Sequence, residues 1–177
     1  MSPVRDWGQW WAFLKGADWR HPYGPNGVIT GLDDHPVVHV AYRDALAYAS
    51  WAGKELPTET EWEFAARGGL EGAEFAWGDE FTPGGRHMAN TWQGAFPRQN
   101  LALDGFARTS PVGAFPANGY GLCDMIGNGW EWTTDWYAPR HAANAAKACC
   151  IPEDRRGGTE AESYDPAQPE IRIHARC

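Results

Sequence analysis

The sequence predicts an α+β domain that consists mainly of irregular loops clamped by aromatic side chains. Its 177 residues include 11 tryptophans and 21 glycines, far above ordinary usage, which argues against a helical bundle or a doubly wound sheet. Residues 78–116 place glycine, proline or asparagine every few positions, so long helices and strands are not expected there. The length suits one domain, and we assign residues 1–177 to a single unit.

Two segments carry helix signals and one carries a strand signal. Alanines at helical spacing predict a first helix over residues 42–52, which Gly53 ends. Residues 58–61, Thr-Glu-Thr-Glu, form a capping box that predicts the start of a second helix, and glycines at 68 and 69 end it. Residues 35–40 predict a short buried strand, whose two histidines would lie too far apart to share a metal ion.

Charge and composition exclude several classes of partner. The net charge of −8 comes without a basic run, which argues against nucleic acid. No apolar stretch approaches the ~20 residues of a membrane span, and the first residues lack the apolar centre of a signal peptide. The cysteines Cys123, Cys149, Cys150 and Cys177 do not make a disulfide framework at this length. We therefore expect a cytoplasmic monomer that binds neither nucleic acid nor membranes.

The densest concentration of unusual residues is the segment 118–136, NGYGLCDMIGNGWEWTTDW. Its glycines prevent a regular helix, and its potential oxygen ligands are Asn118, Asp124, Asn128 and Glu131. One interpretation is a glycine-hinged turn that leads into a strand, with the tryptophans in the core. The other adds a cation held by Asp124, Glu131 and backbone carbonyls. The residues alone leave both interpretations open.

A second loop offers a similar set of oxygen atoms. Asn90 and Thr91 face residues 104–106 across a loop that Gly94 and Pro97 fold back. Calcium takes six to eight oxygens from carboxylates, amide and backbone carbonyls, and water. Neither loop has the fixed spacing of an EF-hand, so spacing alone assigns no ion.

The segment 118–136 resembles the signature of the formylglycine-generating enzyme (sulfatase-modifying factor) family. Further segments resemble consecutive parts of the same domain, among them DWRHPYGP at 18–25, WGDE at 77–80, MANTWQGAFPRQN at 88–100 and TSPVGAFPANGYGL at 109–122. The resemblance runs nearly without a break from about residue 10 to residue 137. It implies the family's irregular fold, distantly similar to C-type lectins, with both ends of the family domain lacking. We expect residues 138–170 to form a surface insertion.

The resemblance also implies two structural calcium ions. One site would use the side chains of Asn90 and Asp104 and the carbonyls of Thr91 and Phe106. The other site would use the side chains of Asp124 and Glu131 and the carbonyls of Gly127 and Gly129. Position 129 usually carries alanine or valine in the family, so its glycine loosens this turn.

The family's reaction, by resemblance, is the oxidation by molecular oxygen of a cysteine in an unfolded Cys-x-Pro-x-Arg segment of a sulfatase to Cα-formylglycine. Two cysteines in a G-G-S-x-x-C-x-x-x-x-C context hold copper(I) there, because copper(I) prefers soft thiolates. Residues 156–159 resemble the opening of that motif, but the next cysteine is Cys177. Cys149 and Cys150 are adjacent and are interpreted as free thiols. We therefore assign no catalytic or cofactor-binding residue and expect the copper site to be absent.

Three functions remain as alternatives. The first is a protein that resembles the formylglycine-generating enzyme but is catalytically incomplete. The second is a non-catalytic binding module built on a calcium-stabilised scaffold. The third is an accessory domain of a sulfoxide synthase, which would require a histidine triad on an upstream helical bundle.

Overall fold

Loops dominate the fold, as the sequence predicts. The structure is a computed structural model that describes residues 13–137, 158–165 and 168–177. Within these ranges the regular elements are α1 (Tyr42–Trp51), α2 (Glu59–Arg67), a 3₁₀ turn (Pro83–Gly85), β1 (Trp132–Trp136), β2 (Tyr164–Asp165), β3 (Gln168–Arg172) and β4 (His174–Arg176). Neither α-helix in the described ranges is long or apolar enough to cross a membrane. The likeness to C-type lectins stays a prediction.

The second helix begins at the predicted capping box. The Oγ1 atom of Thr58 accepts a hydrogen bond of 3.1 Å from the backbone N–H of Glu61, and the Thr58 N–H donates to Glu61 Oε2 at 2.8 Å. These bonds to Thr58 hold the pKa of Glu61 below its ordinary value. The helix ends at Gly68, whose φ of 56° lies in the left-handed region. Both predicted helices are therefore confirmed to within a residue or two.

Strand β1 lies against the N-terminus of α2 and links the helices to the sheet. The buried carboxylate of Asp135 accepts a 2.6 Å hydrogen bond from the backbone N–H of Glu59, at the positive end of the helix. The N–H of Thr134 donates to the carbonyl of Pro57 at 2.8 Å. Through these bonds β1 fixes where α2 starts.

The described strands form two antiparallel pairs, β1 with β4 and β2 with β3. On β4, the ring of His174 stacks between Tyr42 and Trp136, with centroid distances of 3.5 and 3.9 Å. Burial lowers the pKa of His174, so the imidazole favours its neutral form in this stack. The Arg176 guanidinium lies 4.1 Å from the ring centroid of Trp132. Aromatic contacts thus hold β4 to both β1 and α1.

The predicted strand over residues 35–40 is wrong, because the structure assigns no strand there. His39 has a φ of 57°, which breaks an extended chain, and Val37 is 64% exposed. The two histidines make separate contacts: His35 Nδ1 lies 3.0 Å from Thr109 Oγ1, and His39 Nε2 lies 3.0 Å from the carbonyl oxygen of Pro22.

The described core is small and consists mostly of alanine. Its buried hydrophobic residues are Ala49, Ala66, Ala89, Phe115 and Ala175. The expectation that the tryptophans of 118–136 form the core is wrong for Trp130, which is 68% exposed. The predicted insertion at 138–170 lies largely outside the described residues, and it stays a prediction.

Candidate functional site

Asp104 organises the first predicted calcium loop. Its Oδ2 atom accepts hydrogen bonds from the Thr91 N–H at 3.1 Å and from Gln93 Nε2 at 2.7 Å. Its Oδ1 atom accepts from the Phe106 N–H at 3.0 Å. The structure therefore brings together three of the four residues that the resemblance assigns to this site.

Gln93 belongs to this loop although the sequence did not single it out. Its side chain is buried, its Nε2 atom also donates to the carbonyl of Thr91, and its Oε1 atom accepts from the Asp104 N–H at 3.3 Å. The Thr91 carbonyl and the Asp104 carboxylate thus converge on one nitrogen. Two oxygens so placed lie close enough together for one calcium ion, which binds oxygen at about 2.3–2.6 Å. A single glutamine has no spacing pattern that could have revealed this contact.

Asn90, the fourth residue of the first site, is buried next to the same loop. Its Nδ2 atom donates a hydrogen bond of 2.7 Å to the Arg108 carbonyl. Because Nδ2 is held there, the Oδ1 atom remains as the acceptor of this side chain, which is the atom a calcium ion would take. The oxygen chemistry of the first loop therefore fits calcium.

Asp124 provides the best test of the second loop. The residue has a φ of 55°, and its Oδ2 atom accepts a 2.6 Å hydrogen bond from the Gly113 N–H. Its Oδ1 atom is buried and has no hydrogen-bond partner among the described residues. A buried carboxylate oxygen without a partner is costly, and a bound cation would satisfy it. The second loop therefore also fits an ion with oxygen ligands.

The other residues of the second loop lie close along the chain but not all at one surface. Asp124, Gly129 and Glu131 line the same cavity of about 890 Å³, whereas Gly127 does not line it. The Gly127 carbonyl accepts from the Gly129 N–H at 2.7 Å, within one tight turn. Glu131 Oε2 accepts from Trp62 Nε1 at 2.5 Å.

Neither loop is a cluster of charged side chains. Among the residues that the structure describes, no three His, Cys, Asp or Glu side chains gather to hold a metal ion. Each predicted site has at most two carboxylates and depends otherwise on amide and backbone carbonyl oxygens. Such donor sets suit calcium, which is a hard cation, and do not suit copper(I).

The cysteines of the described residues do not fit a copper(I) site. Cys123 is exposed and Cys177 is half-buried, and both are free thiols; Cys149 and Cys150 lie outside the described residues. Burial raises the pKa of Cys177 to about 11, and the carboxylates of Glu59 and Glu131 add to the shift. Because copper(I) binds the thiolate, this raised pKa adds the cost of deprotonation to any binding at Cys177.

The raised pKa predicts low reactivity of Cys177. At pH 8 a thiol with a pKa of about 11 is ionised to only about one part in a thousand. We expect iodoacetamide at pH 8 to modify Cys123 before Cys177. The alkylation rate of Cys177 should approach that of Cys123 as the pH approaches 11. Peptide mass spectrometry resolves each cysteine. Equal alkylation of Cys123 and Cys177 at pH 8 would contradict the prediction.

The chain matches a known protein family over most of its length. The model of the Sulfatase-modifying factor enzyme 1-like domain matches residues 2–174. The chain belongs to this family. A formylglycine-generating enzyme of Mycobacterium tuberculosis is 59% identical over 150 residues, which are 84% of this chain and 50% of that protein. The chain thus spans about half the length of this sulfatase-modifying-factor relative.

A further relative is named as inactive. A bovine protein named inactive C-alpha-formylglycine-generating enzyme 2 is 53% identical over 129 residues, which are 72% of this chain and 42% of that protein. Among solved structures, PvdO from Pseudomonas aeruginosa is 34% identical, covers 59% of this chain and 40% of its own, and has a TM-score of 0.44. The sulfatase-modifying-factor family thus includes members named as active and as inactive.

Proposed function

We propose that this chain is the calcium-stabilised scaffold of a formylglycine-generating-enzyme-type protein, and that residues 1–177 alone do not oxidise a substrate. One observation carries the proposal: Asp124 has a buried oxygen that lacks a partner among the described residues, in a segment shared with formylglycine-generating enzymes. The cysteines described above offer no matching thiolate pair. The oxygen-lined loops thus support calcium binding, whereas the thiols argue against oxidation of a substrate by residues 1–177.

The first proposed calcium ion is bound by the side chains of Asn90 and Asp104 and the carbonyls of Thr91 and Phe106. The second is bound by the side chains of Asp124 and Glu131 and the carbonyls of Gly127 and Gly129. Gln93 acts on the first site indirectly, because its amide holds both Asp104 and Thr91. Glu131 must share its carboxylate between the ion and Trp62.

Calcium is expected to raise the melting temperature of the protein. An ion at 100 times its dissociation constant adds about 2.7 kcal/mol, which corresponds to roughly 5–10 °C for a chain of this size. Melting is measured with calcium and with chelator for the wild type, Asp104→Ala, Asp124→Ala and the exposed control Asp33→Ala. Each site variant should lose part of the shift, and the control should keep it. A wild-type midpoint that does not respond to calcium would rule out the proposed sites.

For the complete protein we propose the substrate that the resemblance implies, a Cys-x-Pro-x-Arg segment of a sulfatase. Copper(I) would supply the oxygen-activating chemistry, and the described thiols do not fit it. We therefore expect no formylglycine when residues 1–177 are incubated with such a peptide, copper and oxygen. Mass spectrometry detects the loss of sulfur on conversion of thiol to aldehyde. Conversion that disappears in Cys177→Ala would show a working site and refute the proposal.

A non-catalytic role is the second candidate. The observation that favours it is the 53% identity to a relative whose name describes it as inactive. In that case the scaffold binds a partner without oxidising it. We further propose that the chain is monomeric and cytoplasmic, in keeping with the free thiols of Cys123 and Cys177.

A further inference from the structure

The two proposed calcium loops touch where Asn128 meets Asn90. The N–H of Asn128 donates to the Asn90 carbonyl at 2.9 Å. Asn128 lies between Gly127 and Gly129, whose carbonyls belong to the second site, whereas the Asn90 side chain belongs to the first. A Cβ atom on Gly127 would lie only 2.2 Å from the Asn90 carbonyl oxygen, so the turn is packed directly against Asn90.

The side chain of Asn128 strengthens this junction. Its Oδ1 atom accepts from the Ser110 N–H at 2.8 Å, and its Nδ2 atom donates to the Ser110 carbonyl at 3.2 Å. Nδ2 of Asn90 lies 3.5 Å from the same Oδ1 atom. The side-chain amide of Asn128 therefore helps to orient Asn90 toward the first site, while Asn128 itself lies in the turn of the second site.

Binding of an ion at either site can stabilise the backbone conformation of Asn128. Its φ of 60° lies in the left-handed region, which costs a residue with a side chain about 1 kcal/mol or more unless contacts hold it. An ion bound to the carbonyls of Gly127 and Gly129 would fix this conformation. The fixed turn would then hold Asn90 in place. The first site would therefore lose less conformational entropy when it binds its own ion.

We propose that the two calcium ions bind cooperatively, with Asn128 as the residue that couples the sites. This inference rests on the proposed calcium sites, and it adds an interaction between them. Coupling between sites is reciprocal, because the free energy does not depend on which ion binds first. The coupling factor should reach at least about fivefold, the lower end of the usual range.

Calorimetric titration with calcium measures this factor in the full chain. Asp124→Ala isolates the first site and Asp104→Ala isolates the second, which gives one association constant for each. The coupling factor is the product of the two stepwise constants of the wild type divided by the product of these single-site constants. We expect a ratio of about five or more in the wild type.

The variant Asn128→Gly tests whether Asn128 carries the coupling. Glycine keeps the N–H that donates to Asn90, but it lacks the side-chain amide and adopts many backbone conformations freely, so the same three titrations in this background should give a ratio clearly below that of the wild type. Damage caused by the aspartate substitutions themselves would persist in this background, whereas coupling would weaken. The exposed Asn26→Gly is the matched control and should keep the wild-type ratio.

The outcomes separate this inference from the calcium sites on which it rests. A ratio near one in the wild type, with two ions bound, overturns the coupling and leaves the sites intact. A ratio that Asn128→Gly does not change also overturns it. A wild-type protein that binds no calcium overturns the sites themselves, and the coupling with them.

Discussion

Replacing Gly127 with alanine is expected to lower the free energy of unfolding by about 3 kcal/mol. The φ of Gly127 is 78°, a conformation that costs an L-residue about 1–2 kcal/mol. The added methyl carbon would also lie 2.2 Å from the Asn90 carbonyl oxygen, and the loops must shift to admit it. Overpacking of this kind costs about 1–3 kcal/mol. The same shift should abolish calcium binding at the second site.

Gly129→Ala is the matched control for this substitution. A Cβ atom on Gly129 would meet nothing within 4 Å, and the residue's φ is not in the left-handed region. We therefore expect a change of less than about 0.5 kcal/mol, with the Gly129 carbonyl still available to an ion. Urea unfolding followed by circular dichroism measures both variants. Equal losses for the two glycines would show that the contact with Asn90 is not what makes Gly127 necessary.

Replacing Asn118 with alanine is expected to lower the free energy of unfolding by about 2–6 kcal/mol. The Nδ2 atom of Asn118 donates to the carbonyls of Ala65 and Ala66, at 2.7 and 3.1 Å, and so caps the C-terminus of α2. Its Oδ1 atom accepts from the N–H groups of Tyr120 and Leu122, at 2.9 and 3.1 Å. Four hydrogen bonds at about 0.5–1.5 kcal/mol each account for the expected loss.

A second variant distinguishes the two halves of this amide. Asn118→Asp keeps both acceptor bonds but loses the donors, and it places a negative charge beside the negative end of α2. Denaturant unfolding should show it at least as unstable as Asn118→Ala at pH 7, with the exposed Asn26→Ala close to wild type. Wild-type stability in Asn118→Asp would mean that the helix cap contributes little.

Local chemistry explains which parts of the fold could be predicted. The start of α2 depends on Thr58 and Glu61, which are three residues apart, so the sequence alone reveals it. The strand predicted over residues 35–40 failed because His39 is held in a left-handed conformation next to Pro22, a contact that no local pattern encodes.

The same difference between local signals and long-range contacts applies to the candidate site. The resemblance pointed to Asp104, and the structure places it beside Thr91 and Phe106. The roles of Gln93 and Asn128 depend on contacts between loops that lie 11 to 38 positions apart in the sequence. Both residues are ordinary polar amides, and only the folded loops show what they hold.

The alanine-rich core has a consequence for how stability varies with temperature. Most of the heat-capacity increase on unfolding comes from the hydration of newly exposed apolar surface. In the part of the chain described by the structure, the fully buried hydrophobic residues are four alanines and Phe115, and larger apolar rings such as Trp132 and Trp136 are only half-buried, so unfolding exposes less new apolar surface than in a large aliphatic core. The curve of unfolding free energy against temperature should therefore be flatter than for a protein with a large aliphatic core. Cooling below room temperature should weaken this fold comparatively little.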